Sequence, residues 1–187
     1  ENEWLSFIQG DVHNLPFNDN SFDTVYCRYI LEHVTQPQTV LTEAARVLKP
    51  GGRIFIQENS ILLLEFHPDC PSFRQVWKAF AAYQAATGGD AMIGIKLFEK
   101  LKLSGFVVDE LSMAPELHYF GQDTFTPWID NLIGNIKGVK DPLIRQQYVS
   151  AEEFNLALQE MGEFKSNELA STYFYWNRAK ASKKRNA

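Results

Sequence analysis

The sequence predicts an α/β fold built on a parallel sheet. Three observations carry that expectation. Asp23–Ile30 (Asp-Thr-Val-Tyr-Cys-Arg-Tyr-Ile) and the run around Ile54-Phe55-Ile56 have the β-branched and aromatic content of strands buried on both faces, the first of them at least in its first half. Between the two, Val40, Leu41, Ala44, Val47 and Leu48 recur at helical spacing. The chain has 187 residues, 45% of them hydrophobic and 22% charged, which suits a single domain with a sizeable core and not a disordered chain.

Taken in order, Trp4–Ile8 reads as a short strand closed by the turn signal Gly10-Asp11, and Asn14–Asn20 as a loop. A helix opens at Gln36-Pro37 with Thr35 as N-cap. Lys49-Pro50-Gly51-Gly52 stops it, and Arg53–Gln57 follows as a strand. Ser72–Ala86 is a helix carrying Phe73, Val76, Trp77 and Phe80, ended by Gly88-Gly89. A second helix from about Ile95 to Ser104 closes at Gly105, and a strand runs from Phe106 to Met113. Phe125, Trp128, Ile129, Leu132, Ile133 and Ile136 mark a well-patterned helix from Thr126-Pro127. Ser150-Ala-Glu-Glu153 is a capping box ahead of Phe154, Ala157, Leu158 and Met161, with Gly162 as the stop. Ser171–Asn177 is an aromatic strand. His118 and Tyr119 fall in a loop, and the basic run from Arg178 to Ala187 reads as a solvated, frayed tail.

Charge and cysteine use narrow the class of function. The net charge is −5, and because the last ten residues hold five basic side chains and no acid, the body is more acidic still. That argues against a nucleic-acid footprint. No apolar run approaches a membrane span, and the opening Glu-Asn-Glu-Trp lacks the basic n-region of a leader. Two cysteines do not make a disulfide framework, so a reduced, cytoplasmic setting is the expectation. The four histidines and two cysteines show no metal-ligand spacing, and no phosphate-binding loop or Ser-His-Asp pattern is present.

Four stretches carry a family resemblance. Gly10-Asp11-Val12-His13-Asn14-Leu15-Pro16-Phe17, Ser21-Phe22-Asp23-Thr24-Val25, Ile30-Leu31-Glu32-His33-Val34 and Arg46-Val47-Leu48-Lys49-Pro50-Gly51-Gly52-Arg53 together resemble the class I S-adenosylmethionine-dependent methyltransferases, most closely the type 11 small-molecule branch. The likeness spans about residues 5–58. Ile93–Leu97 followed by Leu103–Phe106 is similar to the helix and strand that come after the fifth strand of that family.

The resemblance implies a Rossmann-like class I methyltransferase sheet, incomplete at its N-terminal side, with a helical lid or substrate lobe. The whole of 1–187 is then one partial domain, with 61–105 and 115–168 as the helical insertions. S-adenosylmethionine is the implied cofactor and a small molecule the acceptor of the methyl group, on O, N or C.

The resemblance assigns Asp11 to the adenine N–H, with the backbone of Val12 beside it; an ionised carboxylate only accepts, which suits that role. Aspartate caps turns equally well. Cys27, Arg28 and Tyr29 would line the methionine end. Arg28 suits a carboxylate or an ordinary surface pair, and Cys27 a core position, since methyl transfer from a sulfonium needs no covalent enzyme intermediate. His33 is the candidate general base, with packing as its other reading. Trp77, Tyr83, His118 and Trp128 are the candidate substrate contacts, although helical spacing of aromatics also means core.

Two departures stand out. The family's glycine-rich turn after its first strand, and the acid after its second that binds ribose hydroxyls, are not found in these residues. Two strand–helix units, about 60 residues at roughly 30 each, are unmatched. The expectation is therefore a carboxy-terminal portion, inactive by itself, with the Asp23–Ile30 strand as an unpaired edge suited to a homodimer. The alternatives are a non-catalytic methyltransferase-like interaction module and, less well supported by the motifs, a nicotinamide-dependent dehydrogenase.

Overall fold

The computed structural model describes residues 4–185. Five strands form one sheet: β1 (Phe22–Arg28), β2 (Leu48–Glu58), β3 (Glu65–His67), β4 (Val107–Tyr119) and β5 (Ser171–Ser182). The order is β1-β2-β5-β3, with β2 and β3 sharing one edge of β5 and β4 running along the whole of the other. Only β1 and β2 are parallel; β5 runs antiparallel to β2, β3 and β4. The sheet is thus mixed where the sequence suggests a parallel one, because the chain returns after the last helix as a strand slotted between β2 and β4.

The presumed basic tail is that central strand. Arg178, Lys180 and Ser182 alternate with Ala179 and Ala181, a period-two pattern hidden by the charge count. Ala181 pairs with Ile54 and Ala179 with Ile56 on one side, and with Val108 and Leu111 on the other. Two neighbours satisfy both of its edges, so the strand is well held through Ser182.

Helices α1 (Pro37–Val47) and α3 (Leu97–Leu103) cover one face of β1, β2 and β5. Their Leu41, Ala44, Leu97 and Leu101 pack on Cys27, Ile54, Ile56, Ala179 and Ala181. The opposite face of β1 is open: Thr24, Tyr26 and Arg28 are exposed, so this strand is buried on one face and not two. Gln36, not Thr35, occupies the N-cap of α1, without a side-chain bond. A single turn of 3-10 helix, Ile93–Lys96, precedes α3, and Gly105 ends that helix at φ +81° as the sequence suggests.

The second core belongs to α2 (Pro71–Ala86), α4 (Phe125–Gly138), α5 (Lys140–Arg145) and α6 (Ala151–Lys165), which sit with β3 over the early half of β5. Phe73, Val76, Phe154, Met161 and Phe164 from the helices meet Phe66 and Phe174 from the strands. The Ser150–Glu153 capping box forms in both directions. Gly162 does not stop α6, which continues to Lys165: burying Phe164 offsets the roughly 1 kcal/mol cost of an interior glycine.

Trp4–Ile8 forms no strand. Trp4, Leu5, Phe7 and Ile8 are all exposed, Trp4 by 93%. A single extended segment without a partner leaves its backbone groups to water, and no described strand pairs with it. β1 is accordingly the terminal strand of the sheet, bonded to β2 alone among the described residues.

Candidate active site

The turn after β1 sets the site. Tyr29 adopts φ +55°, a left-handed conformation uncommon outside glycine and costing on the order of 1–3 kcal/mol. Two contacts hold it. Its N–H donates to Gln57 O at 3.0 Å, and the next two N–H groups, of Ile30 and Leu31, donate to Glu58 Oε1 at 3.0 and 2.9 Å. Glu58 ends β2 and is fully buried, with Oε2 left without a partner. Burial pushes its carboxyl above the usual glutamate range; the Leu31 and Ile30 N–H groups oppose that rise. One buried carboxylate thus ties the ends of the parallel pair β1/β2 together, which is where ligands bind in open α/β sheets.

Glu32 and Asn59 follow on either side of that joint. Glu32 is 3% exposed; its Oε1 accepts from Asn59 Nδ2 at 2.6 Å and lies 3.5 Å from His33 Nε2. Asn59 O accepts from Gly94 N at 2.8 Å. A Cβ at position 94 would lie 2.5 Å from both Asn59 O and Asn177 Nδ2, so only glycine permits this approach. Ser60 Oγ completes the brace, accepting from Asn177 Nδ2 at 3.0 Å and Ile95 N at 3.1 Å.

Above the joint lies a cavity of about 300 Å³ between the strand ends and the aromatic lobe. Tyr29, Glu32, His33 and Asn59 form its floor. Trp77, Phe80 and Gln84 of α2, Trp128, Asn131 and Asn135 of α4, and Phe174 and Trp176 of β5 form its walls. Tyr29 packs on Trp176 with ring centroids 4.9 Å apart, and Trp128 on Phe174 at 5.7 Å. Each cavity indole N–H is engaged elsewhere: Trp77 Nε1 donates to Ile61 O at 2.8 Å, Trp128 Nε1 to Thr172 Oγ1 at 3.1 Å, and Trp176 Nε1 to Glu116 Oε2.

Of the residues singled out from sequence, Tyr29, His33, Trp77 and Trp128 meet at this cavity. Tyr83 stands outside its lining and packs edge-on against Tyr148 at 6.1 Å. His118 is not in a loop but near the end of β4; its buried ring stacks on Trp128 at 4.7 Å, behind the wall, with Nδ1 2.9 Å from Thr124 Oγ1. Arg28 lies on the open face of β1, its guanidinium over the Tyr29 ring at 4.5 Å and Nη2 donating to Tyr29 Oη at 2.9 Å. Cys27 points into the helix-covered core; burial, then the neighbouring Glu58 charge, pushes its thiol up to about 12.

Asp11 is exposed and caps a tight turn, accepting from His13 N at 2.9 Å, with His13 Nδ1 also at 2.9 Å. The His13 backbone N–H and ring hold its carboxyl below the ordinary aspartate range. Val12, next to it, shares a small apolar cavity of about 130 Å³ with Cys27, Ile30 and Leu41. Arg46 anchors this stretch to α1 through Glu43 Oε2 (2.9 Å), Asp19 Oδ1 (2.6 Å) and Leu15 O (3.1 Å). Trp176, Asn59, Asn131 and Asn135 were missed from sequence. The i, i+3, i+7 spacing of Trp128, Asn131 and Asn135 is the one signal that marks a polar stripe beside the apolar face of α4. Among the described residues, no group of three His, Cys, Asp or Glu side chains is placed to hold a metal ion, and no helix is long and apolar enough to cross a membrane.

Comparison with known proteins agrees with this geometry. Residues 1–56 match the model of the methyltransferase domain. A demethylmenaquinone methyltransferase of Paenarthrobacter aurescens is 42% identical over 76 residues, 41% of this chain and 28% of that protein. The ubiquinone/menaquinone biosynthesis C-methyltransferase UbiE of a Ruegeria species is 48% identical over 60 residues, 32% of this chain and 24% of its own length. The matched stretches thus span about a quarter of those relatives. Among solved structures, a candidate methyltransferase of Bacillus halodurans superposes with TM-score 0.59 at 20% identity, covering 97% of this chain and 78% of that one. The YcgJ protein of Bacillus subtilis superposes with TM-score 0.55 at 17% identity, covering 97% and 71%. Residues 1–56 thus match methyltransferase-domain sequence, and the described residues as a whole share the Rossmann-like fold of these solved structures.

Proposed function

We propose that these residues form the acceptor side, and part of the donor side, of a site that transfers a methyl group from S-adenosylmethionine to a small organic molecule. The observation that carries the reading is the aromatic cavity at the paired ends of β1 and β2, with Tyr29, Glu32 and His33 on its floor. Its volume suits a small ligand, not a macromolecule.

The residues fit the cofactor in part. Asp11 and Val12 would take the adenine, the apolar slot shared by Val12, Cys27 and Ile30 supporting a flat ring, and the Cys27–Tyr29 turn would take the methionine end. S-adenosylmethionine supplies an electrophilic methyl on a positively charged sulfur. The chain's own residues do the rest: the aromatic walls exclude water, the lobe within 61–105 and 115–168 selects the acceptor, and His33 receives a proton from an O–H or N–H acceptor. Most of the rate enhancement comes from alignment.

We place the protein in the cytoplasm, with no nucleic-acid partner, consistent with its acidic body. The free edge of β1 suits pairing with a second copy. The same edge, with the exposed Trp4 and Phe7, favours the second reading, a non-catalytic interaction module.

Labelled methyl transfer from S-adenosylmethionine into small-molecule extracts by the gene product carrying these residues tests the proposal. Label in a small product, reduced by His33→Ala and Tyr29→Ala, supports it. A product that neither binds S-adenosylhomocysteine nor transfers label, yet retains a protein partner, favours the interaction module. Calorimetry on these 187 residues alone is expected to show weak or absent S-adenosylmethionine binding, since they lack the glycine-rich turn.

A further inference from the structure

The lining of the cavity says what charge its occupant carries. No lysine or arginine contributes to it, and Glu32 is its one carboxylate. An anionic ligand would meet the Glu32 carboxylate there, with His33 the one lining group among the described residues able to take up positive charge. Gln84 Nε2 is spent on Glu32 O, so the side-chain donors that remain are the amides of Asn131 and Asn135, the Tyr29 hydroxyl and the His33 ring. All three indole N–H groups are bonded to protein acceptors, so the tryptophans turn only ring surface to the space. Asn59 uses its Nδ2 on Glu32, which fixes the amide orientation and leaves its buried Oδ1 without any donor. Aromatic rings beside a buried carboxylate, in a wall rich in acceptors, form the arrangement that attracts a positively charged N–H donor.

We infer that the cavity recognises an organic ammonium group: its ligand is an amine whose cation sits beside Trp176 and Trp128 and bonds to Glu32, with its apolar portion against Trp77 and Phe80. The inference deepens the methyl-transfer reading, naming an amine as the acceptor: the bound ammonium gives one proton to His33, and the freed nitrogen lone pair then forms the N–C bond as the methyl carbon's bond to the sulfonium sulfur breaks, leaving a neutral thioether. It rests on that reading only for the identity of the acceptor; the binding preference stands independently of it. A desolvated carboxylate partly engaged by Asn59 keeps spare accepting capacity, since an ionised carboxyl offers about four lone-pair sites.

Tryptophan fluorescence of the 187-residue chain, titrated at pH 7.5 with three probes of similar size, tests this without any cofactor. The probes are phenethylammonium, 3-phenylpropan-1-ol and 3-phenylpropionate. The expected order is ammonium, then alcohol, then carboxylate, with the ammonium at least about tenfold tighter than the alcohol, equivalent to about 1.4 kcal/mol. Glu32→Gln is expected to erase that gap while leaving alcohol binding in place. Equal or tighter binding of the alcohol or the carboxylate overturns the proposal. So does an unchanged preference in Glu32→Gln, or displacement of phenethylammonium by saturating S-adenosylhomocysteine, which would give the ammonium site to the amino-acid end of the cofactor. If Glu32→Gln fails to fold, the ranking of the three probes on the unaltered chain still decides. Retained ammonium preference, with no methyl transfer by the gene product carrying these residues, would sink the enzymatic reading and leave this one standing.

Discussion

Behind β1, β2 and β5 the chain packs aliphatic side chains such as Leu41, Ile54, Ile56, Leu97 and Leu101, each essentially out of contact with water. Over the early half of β5 it packs rings, with Phe66, Phe73, Phe154, Phe164 and Phe174 around Trp77 and Trp128. Branched aliphatics interdigitate and close the first core. Flat, rigid rings cannot fill every gap where α2 and α4 meet β5, and a cavity of about 300 Å³ remains between them and the strand ends. The sheet half supplies the fixed backbone turn at Tyr29. The lobe supplies shape and apolar surface above it. A site needs both, and the seam between them lies at the strand ends that Glu58, Asn59 and Gly94 brace, where Gln84 of α2 donates to Glu32 O at 3.0 Å.

Substitutions that distinguish core from wall put this contrast at greatest risk. Phe154→Ala, at the fully buried centre of the lobe, is expected to cost about 3–5 kcal/mol, whereas Trp128→Ala, which borders space already empty, is expected to cost less than half as much. Urea denaturation of the two variants decides, and equal losses would mean that the lobe is closed core without a working cavity.

The seam comes next. Glu58→Ala leaves the N–H groups of Ile30 and Leu31 buried without an acceptor and is expected to cost about 2–4 kcal/mol. Glu58→Gln keeps one acceptor oxygen and is expected to lose much less. Because burial raises the carboxyl's folded-state pKa, the folded protein holds that proton more tightly than the unfolded chain. The group's stabilising contribution is therefore fully present below the ordinary glutamate pKa and is lost as pH rises through the folded value. Urea midpoints measured upward from pH 4.5 are expected to fall more steeply for the unaltered protein than for Glu58→Gln; parallel curves would remove Glu58 from this account.

A smaller effect belongs to the wall. Trp176→Phe removes the indole donor to the half-buried Glu116 and is expected to cost about 1 kcal/mol, with the ring stacking on Tyr29 preserved. An unchanged melting temperature would show that this bond contributes nothing. Smallest of all, the thiols of Cys27 and Cys70 are both pushed up to about 12, chiefly by burial. Neither is expected to react with a disulfide reagent at pH 8 until denaturant is added; one fast-reacting thiol in the folded protein would show that its half opens locally.

Residues of local character were legible from sequence. Pro37 and the helical spacing of Val40, Leu41 and Ala44 place α1 within a residue at each end, and Ser150 with Glu153 places the start of α6. The motifs around Asp11, Ile30–Val34 and Lys49–Gly52 led to the methyltransferase fold. What was misread depends on partners. Trp4–Ile8 has the composition of a strand and no neighbour to pair with among the described residues, while Arg178–Ser182 has the composition of a tail and two neighbours that make it the middle of the sheet. Gly162 has the propensity of a stop and a following phenylalanine whose burial carries the helix past it.

The sequence by itself determined every helix but α5 and the strand character of β1 and β2, because spacing, caps and turn residues act within a few positions of one another. Only the tertiary structure decided that Glu32, Asn59 and Trp176 would share one cavity while Tyr83 and His118 would stand behind or beside it. Those residues lie as many as 144 positions apart, as Glu32 and Trp176 do. The antiparallel insertion of β5 beside β2, which no local pattern announces, is what brings them together.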